Sequence, residues 1–375
     1  MEEWREYKLG NVLTIKYGKD HKQIADGDIP IYGSGGIMRY GDRSLYDGPS
    51  ILIPRKGSLN NIMYANKPFW TVDTMFWTII NEDVANPLFV YYSICKKDFA
   101  SLNTGSAVPS LTVPVIEDID ILLPSKETQN KIVAILKSLD DKIEVNRRIN
   151  DNLEQQAQAL FKSWFVDFEP FKDGEFVESE LGMIPKGWRV GTLSEIAVIT
   201  MGVSPSGLSY NTKSEGDVFY QGRAEFGFRF PKRNMYTTEA KRFAETDSIL
   251  FSVRAPVGDV NVAEEKCCIG RGLASIKALY GYNSFVLYLM QYLKPFFDKY
   301  NSEGTVFGNI NKSTLEGFKI IISPKEYQEK FQKIVGKMDC IIKSLEQESS
   351  RLSSLRDTLL PRLMSGELKI NDISV

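Results

Sequence analysis

The stretch from Lys126 to Phe165, which contains no proline or glycine, constrains the fold more than any other part of the chain. Its apolar residues recur at steps of three and four, which places them on one stripe of a helix. They are Ile132, Leu136, Leu139, Ile143, Leu153, Ala157, Leu160 and Trp164. About 38 helical residues extend about 57 Å. Because so long a helix needs support along its length, the pattern predicts a partner helix.

The partner is expected within the same chain, because Lys325 to Met364 repeats the pattern at a constant offset of 199 residues. The matched pairs are Glu127 and Glu326, Gln129 and Gln328, Ile135 and Ile334, Asp140 and Asp339, Ile143 and Ile342, Leu153 and Leu352, and Leu160 and Leu359. Two long helices packed as an antiparallel coiled coil are therefore predicted.

Three positions leave details of these helices open. Asn146 and Asn150 fall where the stripe expects apolar residues. Either they form a buried polar pair that fixes the helix register, or the helix rotates locally and Ile149 faces inward. Pro361 predicts that the second helix ends or kinks near Leu360.

The remainder of the chain is also duplicated. The pattern from Trp4 to Gly18 returns from Trp188 to Gly202 at an offset of 184. Strand-like runs follow in both copies, Ser50 to Gly57 and Ser248 to Arg254. Each copy then has a predicted helix, from Asn86-Pro87 to about Leu102 or from Asn283-Ser284 to about Tyr300. Since the offset grows from 184 to 199, the second copy carries 15 extra residues between Gly202 and Gly304.

These patterns predict a mixed α/β (α+β) fold class, with two homologous α/β globules separated by the two long helices in a pseudo-two-fold tandem repeat. The expected segments are a first globule (1–124), the first long helix (125–170), a linker with the second globule (171–323), and the second long helix with the C-terminal tail (324–375). At 375 residues, two or more domains are expected.

Composition describes an ordinary globular protein, with 43% hydrophobic and 25% charged residues. No apolar run is long enough to span a membrane, and the first ten residues are too charged for a secretory signal. The four cysteines, Cys95, Cys267, Cys268 and Cys340, fit no zinc template. Reduced thiols in the cytoplasm are the expected state. The net charge of −2 does not by itself predict binding to nucleic acid.

The sequence shows no catalytic constellation. His21 is the single histidine, so a duplicated enzyme cannot use a histidine in both copies. There is no P-loop and no Asn-Pro-Pro-Tyr or Asp-Pro-Pro-Tyr methyltransferase motif, and Glu264-Glu265-Lys266 is better interpreted as a charged turn than as a nuclease motif. We therefore predict a non-catalytic chain that binds and positions, without a metal site or cofactor.

Basic and amide side chains nevertheless cluster locally. Lysine and arginine neutralise phosphates, and arginine, glutamine and asparagine can contact base edges. The strongest cluster lies between Gln221 and Arg242, interleaved with aromatic residues. The predicted DNA contacts are Arg39, Tyr40, Arg55, Lys56, Ser58 and Ser106 in the first globule, and Gln221, Arg223, Arg229, Lys232, Arg233, Arg254, Arg271, Asn309 and Lys312 in the second.

The chain resembles the specificity subunit of a type I restriction–modification system along nearly its whole length. The resemblance rests on Leu122-Leu123-Pro124 with Glu127 and Gln129, on Ala159 to Lys162, and on Leu359 to Leu368. Ile31 to Gly36 and Thr104 to Ser106 are similar to one class of target recognition domain. The second copy departs from the pattern only in having Ser323-Pro324 where the first has Pro124-Ser125.

This resemblance implies that each globule reads one half of a split double-stranded DNA target while the helices set the spacer length. Two modification (methyltransferase) subunits would dock on the helices, and restriction subunits would join them. The residues expected to contact a partner are Leu160, Phe161, Trp164, Leu359 and Leu363.

Two other functions stay open on the residues alone. The chain can be a non-enzymatic coiled-coil scaffold whose two heads bind peptides or glycans. An acidic DNA mimic is the weaker alternative, because −2 is a small charge. The aromatic tract of Phe161, Trp164, Phe165, Phe168 and Phe171 is either core beneath the second globule or a docking surface.

Overall fold

The structure, a computed structural model, describes residues 4–105, 107–301 and 308–369. The chain divides into two compact units, of which unit 1 comprises residues 1–143 and 350–375 and unit 2 comprises residues 144–349. The division cuts both long helices, so each unit holds one globule and a part of each helix. The four segments expected from the sequence divide the chain differently, and their boundaries stay predictions.

The strands are short. In chain order they are β1 (Arg5–Lys8), β2 (Leu13–Tyr17), β3 (Ile29–Gly33), β4 (Gly36–Gly41), β5 (Ser50–Pro54), β6 (Met63–Ala65), β7 (Trp70–Thr71), β8 (Met75–Ile80), β9 (Asp120–Leu123), β10 (Phe176–Ser179), β11 (Gly182–Pro185), β12 (Arg189–Thr192), β13 (Ala197–Met201), β14 (Tyr210–Asn211), β15 (Asp217–Tyr220), β16 (Tyr236–Thr237), β17 (Phe243–Ala244), β18 (Ile249–Ser252), β19 (Val260–Val262), β20 (Cys267–Ile269), β21 (Leu273–Ala278) and β22 (Lys319–Ile322).

The helices are short in the globules and long only at the two predicted stretches. They are α1 (Pro87–Ile94), α2 (Val113–Glu117), α3 (Lys126–Phe165), α4 (Asn283–Tyr292), α5 (Lys294–Asp298), α6 (Lys312–Glu316) and α7 (Lys325–Met364). The first long helix has the predicted bounds, the second covers the whole repeated stretch, and the mixed α/β class is confirmed.

The two units repeat one sheet arrangement. Unit 1 has a four-stranded antiparallel sheet in the order β2-β8-β5-β6, and unit 2 has β13-β21-β18-β19. Each unit also has a two-stranded sheet beside its long helix, β1-β9 or β12-β22. Each has one parallel pair as well, β3 with β7 or β15 with β20. The tandem duplication predicted from the sequence is therefore present in the strand order.

The strand pairing also locates eight of the 15 extra residues of unit 2. Through the two parallel pairs, Ile29 of β3 corresponds to Asp217 of β15, an offset of 188. Their antiparallel partners, Gly41 and Thr237, are 196 apart. We name the segment from Gln221 to Met235 the insertion loop. It has 15 residues, eight more than the seven from Gly33 to Arg39 that correspond to it in unit 1 (offsets of 188 and 196).

Each unit has its own apolar core. The main core of unit 1 combines strands β2, β5 and β8 with α1, the start of α3 and the end of α7. In unit 2 the core combines β13, β18 and β21 with α4, the end of α3 and the start of α7. Phe161, Phe165 and Phe168 are buried in it, and Trp164 and Phe171 pack against it. The aromatic tract is therefore part of the core beneath the second globule, which was one of the two predicted interpretations.

Within unit 2, α3 and α7 run antiparallel, because rising residue numbers on one meet falling numbers on the other. Asn146 donates to Glu348 Oε2 at 2.7 Å, and Asn150 donates to Glu346 Oε1 at 3.1 Å. Both asparagines are fully buried, whereas Ile149 is 40% exposed. The structure therefore supports the buried polar pair, and the interpretation that turns Ile149 inward is wrong.

Three predicted helix ends differ from the structure. The second long helix runs through Pro361 to Met364, so the prediction that it ends near Leu360 is wrong, and the alternative of a kink there stays a prediction. A proline in the last turn removes only one backbone donor. The helix expected from Asn86 to Leu102 ends at Ile94, although Asn86 caps its start as predicted, through Leu88 N and Phe89 N. The helix expected from Asn283 to Tyr300 breaks before Pro295, and no side chain caps its start.

Candidate nucleic-acid interface

Four of the predicted contact residues of unit 2 come from separate segments and meet at one place. Arg254 follows β18 and forms a β-bridge with Asn309, which precedes α6. Val253 N donates to Gly272 O at 3.0 Å, which brings the end of β18 beside the turn that carries Arg271. Gly272 N in turn donates to Gln221 O at 3.1 Å. We name these four residues, Gln221, Arg254, Arg271 and Asn309, the Gln221 surface.

Glycines allow the turn around Arg271 to approach Gln221 closely. A Cβ added at Gly270 would lie 2.9 Å from Gln221 Cα, and a Cβ at Gly272 would lie 2.6 Å from Gln221 O. Real side chains do not tolerate these distances, so only glycine fits on both sides of Arg271. The Gly270-Arg271-Gly272 sequence therefore presents one long cation on a turn that lies against the backbone of Gln221.

The amide oxygen of Gln221 faces two hydroxyl groups. Ser204 Oγ donates to Gln221 Oε1 at 3.1 Å, and Tyr210 Oη lies 3.5 Å from the same oxygen while it donates to Pro205 O at 3.1 Å. Ser204 also accepts from Arg271 N at 3.2 Å, which ties the amide to the turn. Arg254, Arg271 and Asn309 are exposed, and Gln221 is half-buried.

Unit 1 builds the same frame with different side chains. Lys56 forms a β-bridge with Ser110, as Arg254 does with Asn309, and Gly57 N donates to Pro109 O at 3.2 Å. The turn equivalent to that of Arg271 carries Asp73, because Val72 N donates to Tyr32 O as Gly270 N does to Tyr220 O. The strand register places Gly33 where unit 2 has Gln221.

The predicted contacts of unit 1 fall into two groups. Arg55, Lys56 and Ser58 follow β5 together, and the guanidinium of Arg55 lies over the Tyr17 ring at 5.8 Å. Arg39, on β4, is instead engaged by Asp26 and by the carbonyls of His21 and Ile24. Its neighbour Tyr40 is exposed. Ser106 lies outside the described residues.

Other predicted cations of unit 2 are paired with carboxylates rather than collected at the Gln221 surface. Arg223 pairs with Asp259. Arg233 pairs with Glu264 and Glu265, and Lys312 pairs with Glu316 at 3.4 Å. Lys232 is exposed in the insertion loop.

Arg229 corrects one sequence prediction. Its side chain is only 5% exposed and pairs with Glu154 of α3 and with Asp339 of α7 at 2.6 Å, while Tyr288 Oη lies 2.9 Å from Nη2. Burial alone lowers the pKa of Arg229, but Tyr288, Asp339 and Glu154 outweigh it, so the pKa is raised. A guanidinium held in this way anchors the insertion loop to both helices of unit 2 and is not a DNA contact.

Two predicted partner contacts are also corrected. Phe161 is buried in the unit 2 core, and Leu363 is buried in the unit 1 core. Leu160, Trp164 and Leu359 are half-buried and keep some exposed apolar surface. The apolar stripe of a helix does not predict which of these five residues are buried and which stay partly exposed. The globules cover only part of the width of the stripe.

The sequence reasoning missed Ser204, Tyr210 and Asp73. Hydroxyls that orient a glutamine have no motif of their own, and Tyr210 and Ser204 are brought to Gln221 only by folding. Asp73 has a detectable signal, because it lies at the offset of 198 from Arg271 that relates Ser50 to Ser248. An alignment of the two copies can find such a position.

Within residues 4–105, 107–301 and 308–369, no cluster of histidine, cysteine or carboxylate side chains is suited to a metal ion. In the same part of the chain, no helix is both long enough and apolar enough to cross a membrane.

Comparisons with known proteins agree with this architecture. The family of the type I restriction modification DNA specificity domain matches residues 1–155 and 185–353. The chain is 36% identical to the type I restriction enzyme MjaX specificity subunit of Methanocaldococcus jannaschii, over 98% of this chain and 94% of that protein. It is 28% identical to the MjaIX specificity subunit of the same organism, over 99% and 95% of the two chains.

A solved structure shares the fold. The crystal structure of the type I restriction–modification system S subunit from M. genitalium matches with a TM-score of 0.62 at 18% identity, covering 97% of this chain and 96% of that chain. Specificity subunits are non-catalytic, so the prediction that the chain is not an enzyme is confirmed by its relatives. The repeated units, the two-part family match and the relatives matched along their whole length show that the chain belongs to the family of type I restriction–modification specificity subunits.

Proposed function

We propose that this chain binds double-stranded DNA with both units and recognises a target in two parts, one for each unit. The observation that carries the proposal is the Gln221 surface, where two exposed arginines and two amide side chains from four segments meet on a hydrogen-bonded backbone frame. Arginine, lysine and amide side chains are those that contact phosphates and base edges. Unit 1 repeats the frame with Lys56 and Ser110, which supports one reading surface in each unit.

The partners follow from the family. The matched relatives are named as specificity subunits of type I restriction enzymes. We propose that modification subunits, two for one chain because the unit is duplicated, dock on the long helices, and that restriction subunits join this complex. Leu160, Trp164 and Leu359, which the cores cover only in part, are the proposed contacts on the helices.

The test uses the full chain reconstituted with its modification subunits. We expect binding to a DNA duplex whose association constant falls steeply as salt rises, because cations of the chain displace counterions from phosphates. Methylation profiling of a genome that expresses the complex is expected to give one motif with two defined parts and an unspecified spacer. Binding without salt dependence, or a motif in one continuous part, would contradict the proposal.

Exchange of residues 188–323 for those of another family member assigns each half-site to its unit. We expect one half of the motif to change and the other half to persist. A matched exchange of residues 4–123 is expected to change the other half only. If either exchange altered both halves, the units would not read independently.

A further inference from the structure

We infer that Gln221, Arg254 and Arg271 select guanine in the half-site that unit 2 reads. This inference rests on the proposed DNA binding and deepens it by naming the base. Its basis is that these three side chains present hydrogen-bond donors: the two guanidinium groups have no acceptor, and the amide oxygen of Gln221 is turned toward Ser204 and Tyr210.

Gln221 becomes a donor because of its surroundings. A free glutamine amide has one acceptor oxygen and one donor nitrogen, so it can pair bidentately with adenine. Here Oε1 is turned inward: it accepts from Ser204 Oγ at 3.1 Å and lies 3.5 Å from Tyr210 Oη, whose proton is donated to Pro205 O at 3.1 Å. Among the described residues, none accepts a hydrogen bond from Nε2, which therefore stays available to a ligand.

Arg254 and Arg271 are donors by nature, and they are exposed. In the described part of unit 2, no carboxylate pairs with either of them, whereas Arg223, Arg229 and Arg233 each pair with one or two. An arginine already bound to a carboxylate gives up that pair before it contacts DNA. Arg254 and Arg271 do not have to break such a pair before they contact DNA.

The acceptor-rich base edge is that of guanine. In the major groove guanine presents two acceptors, O6 and N7, whereas adenine and cytosine present an amino donor and thymine presents one acceptor beside a methyl group. A set of donors is therefore repelled by the amino groups of adenine and cytosine and matches guanine best. Arginine with guanine is also the commonest specific base contact.

Unit 1 does not share this character. In unit 1, Gly33 takes the position of Gln221, Asp73 that of Arg271 and Lys56 that of Arg254. These residues offer one acceptor group, on Asp73, and one donor group, on Lys56. The guanine preference is therefore expected in one half-site only. The two halves of the target should differ in sequence.

The first experiment replaces single atoms of the DNA. Duplexes carrying the profiled motif are made with 7-deazaguanine, which lacks the N7 acceptor, at each guanine in turn. For the complex of the full chain with its modification subunits, we expect Kd to rise about tenfold at one or more guanines of the unit 2 half-site, the loss that corresponds to about 1.4 kcal/mol. The unit 2 half-site is the one that changes when residues 188–323 are exchanged.

The second experiment changes the protein. Gln221→Glu keeps an oxygen for Ser204 and Tyr210 but replaces the free donor with an acceptor, so binding to the guanine half-site should fall at least tenfold. Arg271→Ala should relax the preference at one position of that half-site. Lys277→Ala removes an equal charge from an exposed position on β21 and is expected to keep the motif unchanged.

The outcomes separate this inference from the proposed function. If the wild-type complex bound no DNA in a salt-dependent way, the proposed function would fail and the inference with it. If the complex bound and methylated a two-part target whose unit 2 half contained no guanine, or tolerated every 7-deazaguanine substitution, the inference alone would fail. An unchanged motif for both Gln221→Glu and Arg271→Ala would also overturn it.

Discussion

Arg356 of α7 donates from Nη1 to Asp140 of α3 at 2.7 Å, and this pair in unit 1 has an altered counterpart in unit 2. Asp339 occupies the position of Asp140 in the second copy, at the offset of 199. The position of Arg356 is taken by Ala157, which is fully buried. Arg229 from the insertion loop supplies the guanidinium instead, at 2.6 Å from Asp339. A helix-to-helix ion pair in one unit has thus become a loop-to-helix anchor in the other.

The anchor predicts that replacing Arg229 lowers the free energy of unfolding more than replacing Arg356 does. Arg229→Met leaves the carboxylates of Glu154 and Asp339, whose side chains are only 13% and 20% exposed, without their cation, so the free energy of unfolding should fall by about 3 kcal/mol. Arg356→Met should cost about 1 kcal/mol or less, because the side chains of Arg356 and Asp140 are 25% and 33% exposed. Urea unfolding of the full chain measures both.

A combined variant checks the cause of that loss. Adding Glu154→Gln and Asp339→Asn to Arg229→Met removes the unpaired charges and should restore part of the lost stability. Equal losses for the two single variants, or no recovery in the combined one, would contradict a buried ionic anchor.

Glu346 predicts a stabilising substitution. Burial raises the pKa of Glu346, so this group favours folding below its unfolded pKa near 4.5 and loses that contribution as the pH rises through its folded pKa. Glu346→Gln keeps an acceptor for Asn150 Nδ2 and adds a donor for Asn150 Oδ1, which is buried and has no partner among the described residues. We expect a gain of about 1 kcal/mol at pH 7 and much less at pH 4.

Glu329 on the same helix serves as the control. Its hydrogen bond from Lys333 lowers the pKa of Glu329, so its contribution is present above pH 4.5 and is lost as the pH falls. Glu329→Gln should therefore change stability in the opposite direction at pH 7. Thermal unfolding at pH 4 and pH 7 decides the matter, and a loss of stability for Glu346→Gln at pH 7 would count against the argument.

The cysteines predict selective alkylation. Burial raises the pKa of Cys95 to about 11 and that of Cys267 to about 12, and burial also raises the pKa of Cys268. Cys340 is exposed on α7. Because the thiolate is the reactive form, iodoacetamide at pH 7.5 should modify Cys340 alone in the native chain.

Mass spectrometry of labelled peptides measures this selectivity. Cys340→Ser should abolish the fast reaction, and the other three thiols should react only after denaturation. Rapid labelling of Cys267 or Cys268 in the native chain would show that β20 is not buried as described.

The long helices predict a change in the spacer of the proposed target. Removing seven residues from α3 and the seven that face them in α7 shortens each helix by about 10 Å, which corresponds to roughly three base pairs of DNA. We expect methylation profiling to return both half-sites unchanged with a shorter spacer. A variant of full activity with an unaltered spacer would disprove the role of helix length.

Much of this fold follows from local pattern. The bounds of α3 and α7, the duplication and the strand runs depend on residue periodicity, turn residues and offsets that are written in the sequence. The absence of a catalytic motif could also be predicted, and family membership agrees with it. The candidate surface was predicted in part, because residue type alone indicated Gln221, Arg254 and Arg271 as DNA contacts.

Tertiary structure decided which polar residues face inward. Arg229 and Lys232 are neighbours in one basic cluster, yet Arg229 is buried between two carboxylates and Lys232 is exposed. Asn146 and Ile149 compete for one stripe, and only the packing of α7 against α3 settles that the asparagine is inside. Sequence determined the elements because their signals are local, whereas burial and pairing depend on groups that are distant along the chain and meet only when it folds.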